Sequence, residues 1–320
     1  MEGRSNCRMN REGAIGEEER VESDAGEPCI STIVVNYNAG SLLRGCVDSL
    51  VKCAAGIEVV VVDNASSDNS LTLLPESSAV RVIRNAENLG FAAACNIGVR
   101  AASAPVLLFL NPDCHFQPGT VATLLTELQA DERVGMVGGL LVNPDGSEQA
   151  GGRRAVPTPW RSFVRAFGLH RLGGRWPRLF FDFHLHRQPL PDAPIEVEAI
   201  SGACMLVKRA AIDDVGLWDE GYFLHCEDLD WCMRFRQRGW KILFVPAARI
   251  THALGACSKD RRVFVEWHKH KGMMRFYRKF FGQQYSGLLM GLVATGVWLR
   301  FGLLATYYTA RRCGRACRRA

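Results

Sequence analysis

The chain has 320 residues, 48% of them hydrophobic and 22% charged, enough to bury one large core or two smaller ones, which excludes collagen-like and wholly disordered classes. Its formal net charge of +6 is unevenly spread, because from residue 259 onward fourteen Lys or Arg meet only Asp260 and Glu266. That excess suits anionic lipid or a phosphorylated acceptor, and without a helix-turn-helix, finger or aromatic RNA-binding signature nucleic acid is not an expected partner.

Residues 1–28 carry four Arg, eight Asp or Glu and few large apolar groups, so they are expected to be a disordered leader, and they hold no apolar run of the secretory kind. From residue 30 the pattern is βαβ grammar. Strands are predicted over 30–35, 57–62, 80–83, 106–110 and 134–137, with helices over 41–52, 91–102 and 119–130 between them. The strands are continuously apolar, as in a parallel sheet covered on both faces, and functional loops then belong at their C-terminal ends. Between residues 151 and 194 the pattern dissolves into Arg, Pro, His and aromatic residues, with one short helix near 160–169. Regular structure resumes with strands over 195–200 and 203–207, a short helix, and a helix over 229–238 capped by Gly239. A strand over 241–245 follows, closed by Pro246.

The predicted organisation is therefore a nucleotide-binding half over 29–140, an acceptor-side half over 141–282 and an apolar, basic segment over 283–320. Within that segment residues 286–299 hold no charge, Arg300 interrupts, and 301–310 are apolar again. A central Arg in a spanning helix costs at least about 2.5 kcal/mol. The basic flanks favour a helix or helix pair lying in the interface of an anionic leaflet, with a buried helix as the alternative. Of the twelve cysteines, Cys46, Cys95, Cys204 and Cys232 fall in apolar patterns as small hydrophobes do, which points to a reduced protein rather than a disulfide scaffold.

Several strand ends carry chemistry. The first ends in Asn36-Tyr37-Asn38 and the second in Asp63-Asn64, and neighbouring tips of a parallel sheet could face a flat heterocycle, Asp63 accepting an imide N–H; a turn residue, or an N-cap to a helix beginning near Asp68, is the alternative. The strand 106–110 runs into Asn111-Pro112-Asp113, which sets a carboxylate at the sheet edge where a hard cation and diphosphate oxygens could meet it. Residues 218–231 gather five carboxylates among aromatic residues at a helix start, with Glu227 and Asp228 adjacent. A helix N-terminus favours the ionised form of a carboxylate, so a proton acceptor is plausible there. Asp230 is expected to pair with Arg234 one turn on, a structural role. No GxGxxG follows the first strand and no Walker loop occurs, which disfavours dinucleotide oxidoreductases and P-loop kinases.

Taken in order, Val34-Val35-Asn36-Tyr37-Asn38, Val61-Val62-Asp63-Asn64-Ala65-Ser66, Asn88-Leu89-Gly90-Phe91-Ala92 through Asn96, Leu110-Asn111-Pro112-Asp113, Ser201-Gly202-Ala203-Cys204 and Glu227-Asp228-Leu229-Asp230 resemble glycosyltransferase family 2. The resemblance is nearest to bacterial rhamnosyltransferase-like enzymes of cell-surface polysaccharide synthesis. It implies the GT-A fold, an α/β fold with a mostly parallel sheet. It further implies that Asn36, Asn38, Asp63, Asn64, Asn88, Asn96, Asn111 and Gly202 lie around a nucleoside diphosphate sugar, and that Asp113 and His252 hold Mg²⁺ or Mn²⁺. Asp228 matches the general base, with Glu227 beside it. Asn111 stands where the family's DxD motif has a carboxylate, leaving one ionised group fewer for the metal. The resemblance leads to an inverting, metal-dependent transfer of a hexose, rhamnose among the candidates, from a dTDP- or UDP-sugar to a glycan or polyprenyl-diphosphate-linked acceptor at the cytoplasmic face of the inner membrane. Another hexose or an N-acetylhexosamine would leave fold and mechanism unchanged. A sugar-1-phosphate nucleotidylyltransferase should carry a basic glycine-rich loop after its first strand, where this chain has Tyr37-Asn38-Ala39-Gly40, and a noncatalytic membrane scaffold leaves Asp113, Asp228 and His252 unexplained.

Overall fold

A computed structural model describes residues 29–53, 56–253 and 261–317; the expected leader lies outside them. The elements run β1 (Ile30–Asn36), α1 (Ser41–Cys53), β2 (Ile57–Asp63), β3 (Val80–Arg84), α2 (Phe91–Ala101), β4 (Val106–Leu110), β5 (Cys114–Phe116), α3 (Thr120–Gln129) and β6 (Val134–Val142). They continue β7 (Arg153–Arg154), α4 (Pro159–Ala166), β8 (Ile195–Glu196), β9 (Ala199–Ile200), β10 (Cys204–Lys208), α5 (Arg209–Val215), α6 (Glu227–Gln237), β11 (Lys241–His252), α7 (Arg262–Phe281) and α8 (Gly287–Cys317).

The main sheet is ordered β3-β2-β1-β4-β10-β6-β11-β5, with β8 also on β11. Its first four strands are parallel, and β10 runs antiparallel between β4 and β6. The unbroken apolar strands follow from cover on both faces. Ile33, Val35, Val60, Val62, Leu107 and Phe109 pack toward α2, α6 and α7, while Ile30, Val34, Val59, Val61, Leu108 and Leu110 pack toward α1 and α3. Each such fully buried side chain is worth roughly 1.5–3 kcal/mol of transfer free energy. The four cysteines read as small hydrophobes are buried free thiols in these two cores.

Two local readings change. Pro246 does not close the last strand: β11 continues to His252 across a bulge, with Val245 opposite Gly139 and Arg249 opposite Leu140. Residues 246–248 are the extra ones, and a Cβ on Gly139 would lie 2.3 Å from the Ala248 carbonyl oxygen, so only glycine admits the bulge. Beyond it β11 turns toward β5, which brings His252 opposite Cys114. No helix starts near Asp68 either; that segment is a single 3-10 turn over Leu71–Leu73.

α8 is one continuous helix rather than a pair. Its inner face rests on α7, with Trp298 and Phe301 against Trp267 at 5.3 and 5.5 Å between ring centroids. The 27-residue stretch Gly287–Cys313 is long and apolar enough to cross a bilayer, and 6% of its most apolar window is buried within the chain.

Candidate active site

β1 and β2 are adjacent with Asn36 in register with Asp63, so both tips lie at the same edge. The buried Asn36 amide is within 2.7 Å of Asp63 Oδ1, 3.0 Å of Ser66 Oγ and 2.8 Å of Ser70 Oγ, and its carbonyl oxygen is buried without a partner. Asp63 also accepts from the Ser66 N–H at 3.1 Å and the Ser66 hydroxyl at 2.6 Å, closing a turn in which Ala65 has φ 60°. It is thus a turn residue, not an N-cap, and its Oδ2 keeps capacity for a further donor. Asn38, at φ 53°, accepts the backbone N–H of Ser67 at 2.8 Å and of Asp68 at 3.2 Å, folding the loop after β2 across the tip of β1.

The Asn64 amide donates to the Gly90 carbonyl at 3.0 Å and accepts from Asn85 at 2.8 Å, while Asn88 Oδ1 takes the Gly90 N–H at 3.0 Å. Gly90 has φ 89°, and a Cβ there would sit 2.6 Å from the Phe223 carbonyl oxygen, which accepts the Phe91 N–H at 2.8 Å. Asn96 lies inside the scaffold: its amide nitrogen reaches the Trp218 carbonyl at 3.0 Å and Glu220 at 2.8 Å, and its oxygen takes the Trp218 N–H at 3.0 Å. It clamps the loop ahead of α6 and shows no free polar atom.

The end of β4 forms the second group. Asp113 Oδ1 is 3.0 Å from His252 Nε2, both side chains almost fully buried, and Cys114 lies close by. His252 Nδ1 is 2.6 Å from Gln149 Oε1, and the Gln149 amide nitrogen is occupied by Asn143 Oδ1 at 3.1 Å and the His252 carbonyl at 3.2 Å. The network therefore sets an N–H at Nδ1 and turns Nε2 toward the carboxylate. Two acceptors at that distance need a proton or a cation between them, and an imidazole oriented by a second-layer amide is how proteins present a metal ligand. The donor set of Asp113 and His252 thus fits a divalent ion. Cys114 fits it poorly, since burial holds its thiol far above the usual range and Sγ points to the Ala203 carbonyl at 3.4 Å. The Asn111 amide approaches Nε2 at 3.4 Å.

The third group is at the start of α6. His225 and Cys226 are both left-handed, at φ 68° and 72°, and the helix begins at Glu227, two residues earlier than its apolar pattern predicts. Asp228 accepts from the Gly202 N–H at 3.2 Å, from the Leu229 N–H at 2.8 Å and from the Arg154 guanidinium. Glu227 is buried with Oε2 unpartnered, and burial, then the charge of Asp228, pushes its carboxyl up to about 8. The helix N-terminus does not keep Glu227 ionised; desolvation outweighs it. Asp230 is fully buried and pairs with Arg234 at 2.7 Å and Lys279 at 2.6 Å, a structural role.

One turn joins the second and third groups: Ala203 accepts the Asn111 N–H at 3.0 Å, and Gly202, one residue earlier, donates to Asp228. The site can therefore set a proton acceptor on one side of residues 202–203 and a cation pair of ligands on the other. Sequence does not set Arg154 apart from the other arginines of the 153–178 stretch, and Gln149 lies in a polar loop with no pattern to mark it.

Residues 31–216 match the model of glycosyl transferase family 2, and the chain belongs to that family. It is 30% identical over 241 residues to an N-acetylglucosaminyl-diphospho-decaprenol L-rhamnosyltransferase of Mycobacterium tuberculosis, covering 70% of this chain and 75% of the relative. It is 24% identical over 219 residues to a low-salt glycan biosynthesis hexosyltransferase of Haloferax volcanii, covering 67% and 63%. Among solved structures, the mannosyltransferase PcManGT of Pyrobaculum calidifontis in complex with GDP-Man and Mn²⁺ superposes with TM-score 0.52 at 17% identity, over 91% of this chain and 76% of that one. GalNAc-T7 with UDP, GalNAc and Mn²⁺ superposes with TM-score 0.53 at 21% identity over 72% of this chain, which spans 44% of that longer protein. These likenesses establish the GT-A fold and the rhamnosyltransferase-like character of the sequence.

Proposed function

We propose that the chain transfers a hexose, rhamnose first, with inversion, from a dTDP- or UDP-sugar to a hydroxyl of a polyprenyl-diphosphate-linked or glycan acceptor, at the cytoplasmic face of the inner membrane. The observation that carries the reading is the joint at residues 202–203, which relates Asp228 to the Asn111, Asp113 and His252 group. The 30% identity with the mycobacterial rhamnosyltransferase supports the sugar and the lipid-linked acceptor.

In this reading Asn36, Asn38, Asp63 and Asn64 bind base and ribose, Asn88 shapes the loop beside them, and Asn96 positions the loop 218–220. Asp228 takes the proton of the acceptor hydroxyl as its oxygen bonds to the anomeric carbon. The bond from that carbon to the diphosphate oxygen breaks on the opposite face, its electron pair leaving with the nucleoside diphosphate. Arg154 and Gly202 hold the carboxylate in place for that transfer. Asp113 and His252 would hold Mg²⁺ or Mn²⁺, which supplies charge neutralisation for the leaving diphosphate. Glu227, kept protonated by burial, supports the helix start rather than serving as the base.

The test is transfer by the purified full-length chain from dTDP-rhamnose and from UDP-hexoses to a synthetic N-acetylglucosaminyl-diphospho-prenol, with products identified by mass spectrometry and their anomeric configuration read by NMR. A disaccharide of inverted anomeric configuration is the expected product. Retention of configuration, or no transfer from any nucleotide sugar that stabilises the protein, overturns the reading.

A further inference from the structure

α4 is built inside out. Its arginines turn inward, Arg161 to Glu198 at 2.6 Å and Arg165 to Asp182 at 3.0 Å. Trp160, Phe163 and the capping Phe167 face outward, 44%, 45% and 67% exposed. Spaced three and four residues apart they share one face, and their rings follow one another at 5.5 and 4.6 Å between centroids. A helix on a water-facing surface shows the reverse arrangement. The turn that follows carries Arg171, Arg175 and Arg178, all exposed and in no ion pair among the described residues, and Arg178 shares a groove with Trp160. Arg175 lies over the half-exposed Trp176 ring at 5.2 Å.

The aromatic face is continuous with the approach to α8. A groove of about 690 Å³ lined by Trp160, Arg178, Leu179 and Tyr285 reaches to within two residues of the first turn of that helix. α4 is also tied to α7, which carries α8, by the Ser162 and Tyr277 hydroxyls at 2.7 Å. The outer face of α8 presents Leu288, Leu292, Leu299 and Leu303, each more than 60% exposed.

We infer that the outward face of α4, together with the turn at 171–178, is a second membrane contact, seated in the headgroup region of an anionic leaflet. Trp160, Phe163, Phe167 and Trp176 lie at the acyl boundary, and Arg171, Arg175 and Arg178 meet lipid phosphates. The inference rests on the membrane reading of α8 and deepens it. One helix alone leaves the catalytic domain free to swing; a second contact, in the segment that follows Arg154 directly, fixes the height of Asp228 above the bilayer. The acceptor hydroxyl is then one carried close to the headgroups.

The experiment places a photoreactive benzoylphenylalanine by Phe163→benzoylphenylalanine, Phe167→benzoylphenylalanine, Leu288→benzoylphenylalanine or Val51→benzoylphenylalanine in the full chain. Each is reconstituted with vesicles of phosphatidylcholine and phosphatidylglycerol, irradiated, and the adducts identified by mass spectrometry. Lipid adducts from positions 163 and 167, severalfold above position 51 and reduced when Arg171, Arg175 and Arg178 are changed to Gln, are the expected result. Adducts from position 288 alone overturn this inference and leave the α8 reading standing, and adducts from none of the positions overturn both. Crosslinks from 163 to a second protein chain assign the face to self-association and overturn the lipid contact.

Discussion

Arg154 on β7 and Asp228 on α6, 74 residues apart in sequence, form an ion pair at the candidate active site, and the Arg154 Nε–H beside it is buried without a partner. The pair joins the loop-rich half of the chain to the helix that carries the proposed proton acceptor. Asp228→Asn keeps an oxygen for Arg154 and Gly202 but cannot take a proton, so turnover is expected to fall about 10²–10⁴-fold with donor affinity unchanged. Arg154→Met strands the carboxylate and is expected to lower stability by about 2–4 kcal/mol as well as activity. Steady-state kinetics, nucleotide titration and chemical denaturation check both; near-normal turnover of Asp228→Asn would move the base elsewhere.

Glu227 gives a pH prediction. Its carboxyl, raised from 4.5 to about 8, keeps its proton in the folded chain over a range where the unfolded chain has released it. Its contribution to stability is therefore complete below about pH 4.5 and is lost as pH rises toward 8. Glu227→Gln stays neutral throughout. Its Tm relative to the unsubstituted chain should climb steadily between pH 5 and pH 8, and a difference that does not vary with pH rejects the assignment.

Gln149 Oε1 holds His252 at Nδ1, the nitrogen turned away from Asp113, so it tests the proposed metal group without removing a proposed ligand. Gln149→Ala is expected to weaken Mn²⁺ binding about 10–100-fold. Asp113→Ala and His252→Ala should each abolish the Mn²⁺-dependent part of nucleoside diphosphate binding by calorimetry. Full activity in the presence of EDTA would sink the metal reading.

Gly90 sits at φ 89° with the Phe223 carbonyl 2.6 Å from where a Cβ would be. Gly90→Ala must open the junction between the 85–90 loop and residue 223. A loss of about 1–3 kcal/mol and weaker donor binding are expected, read by thermal shift with and without UDP or dTDP. A fully stable variant with unchanged affinity would show that the close approach is not maintained in solution.

A chain ending at Gly282 should leave the membrane fraction while still binding nucleoside diphosphate. Its Tm should fall, because Trp267 loses the cover of Trp298 and Phe301. If the full-length protein stays soluble at low salt without detergent, the membrane reading fails.

The sheet was legible because its strands are apolar without a break, which only cover on both faces explains, and the predicted ends of β1, β2 and β4 differ from the observed ones by at most a residue. The resemblance set Asp113 and His252 in one group, and the two side chains do meet, although His252 alone carries no such signal in sequence. What was not legible depends on contacts between distant segments. Pro246 signals a strand end locally, and only the missing side chain of Gly139, on another strand, lets β11 continue. The early start of α6 rests on two left-handed residues that are not glycine, where Gly272 lets the His225 carbonyl come within 2.7 Å of its absent Cβ. The seven arginines at 153–178 look alike in sequence, yet Arg153, Arg154, Arg161 and Arg165 are locked to carboxylates and Arg171, Arg175 and Arg178 are not.

The peptide at residues 202–203 acts as a fixed ruler. Because Gly202 grips Asp228 and Ala203 grips Asn111, the separation between the proposed proton acceptor and the proposed metal group is set by adjoining atoms of one segment. The 151–194 excursion enters that measure only at its start, through Arg154, while its later part is held by the pairs of Arg161 with Glu198 and Arg165 with Asp182. A lineage can therefore rewrite the part beyond Arg165 to admit a new acceptor while that spacing keeps its length, and recognition can diversify without retuning the chemistry.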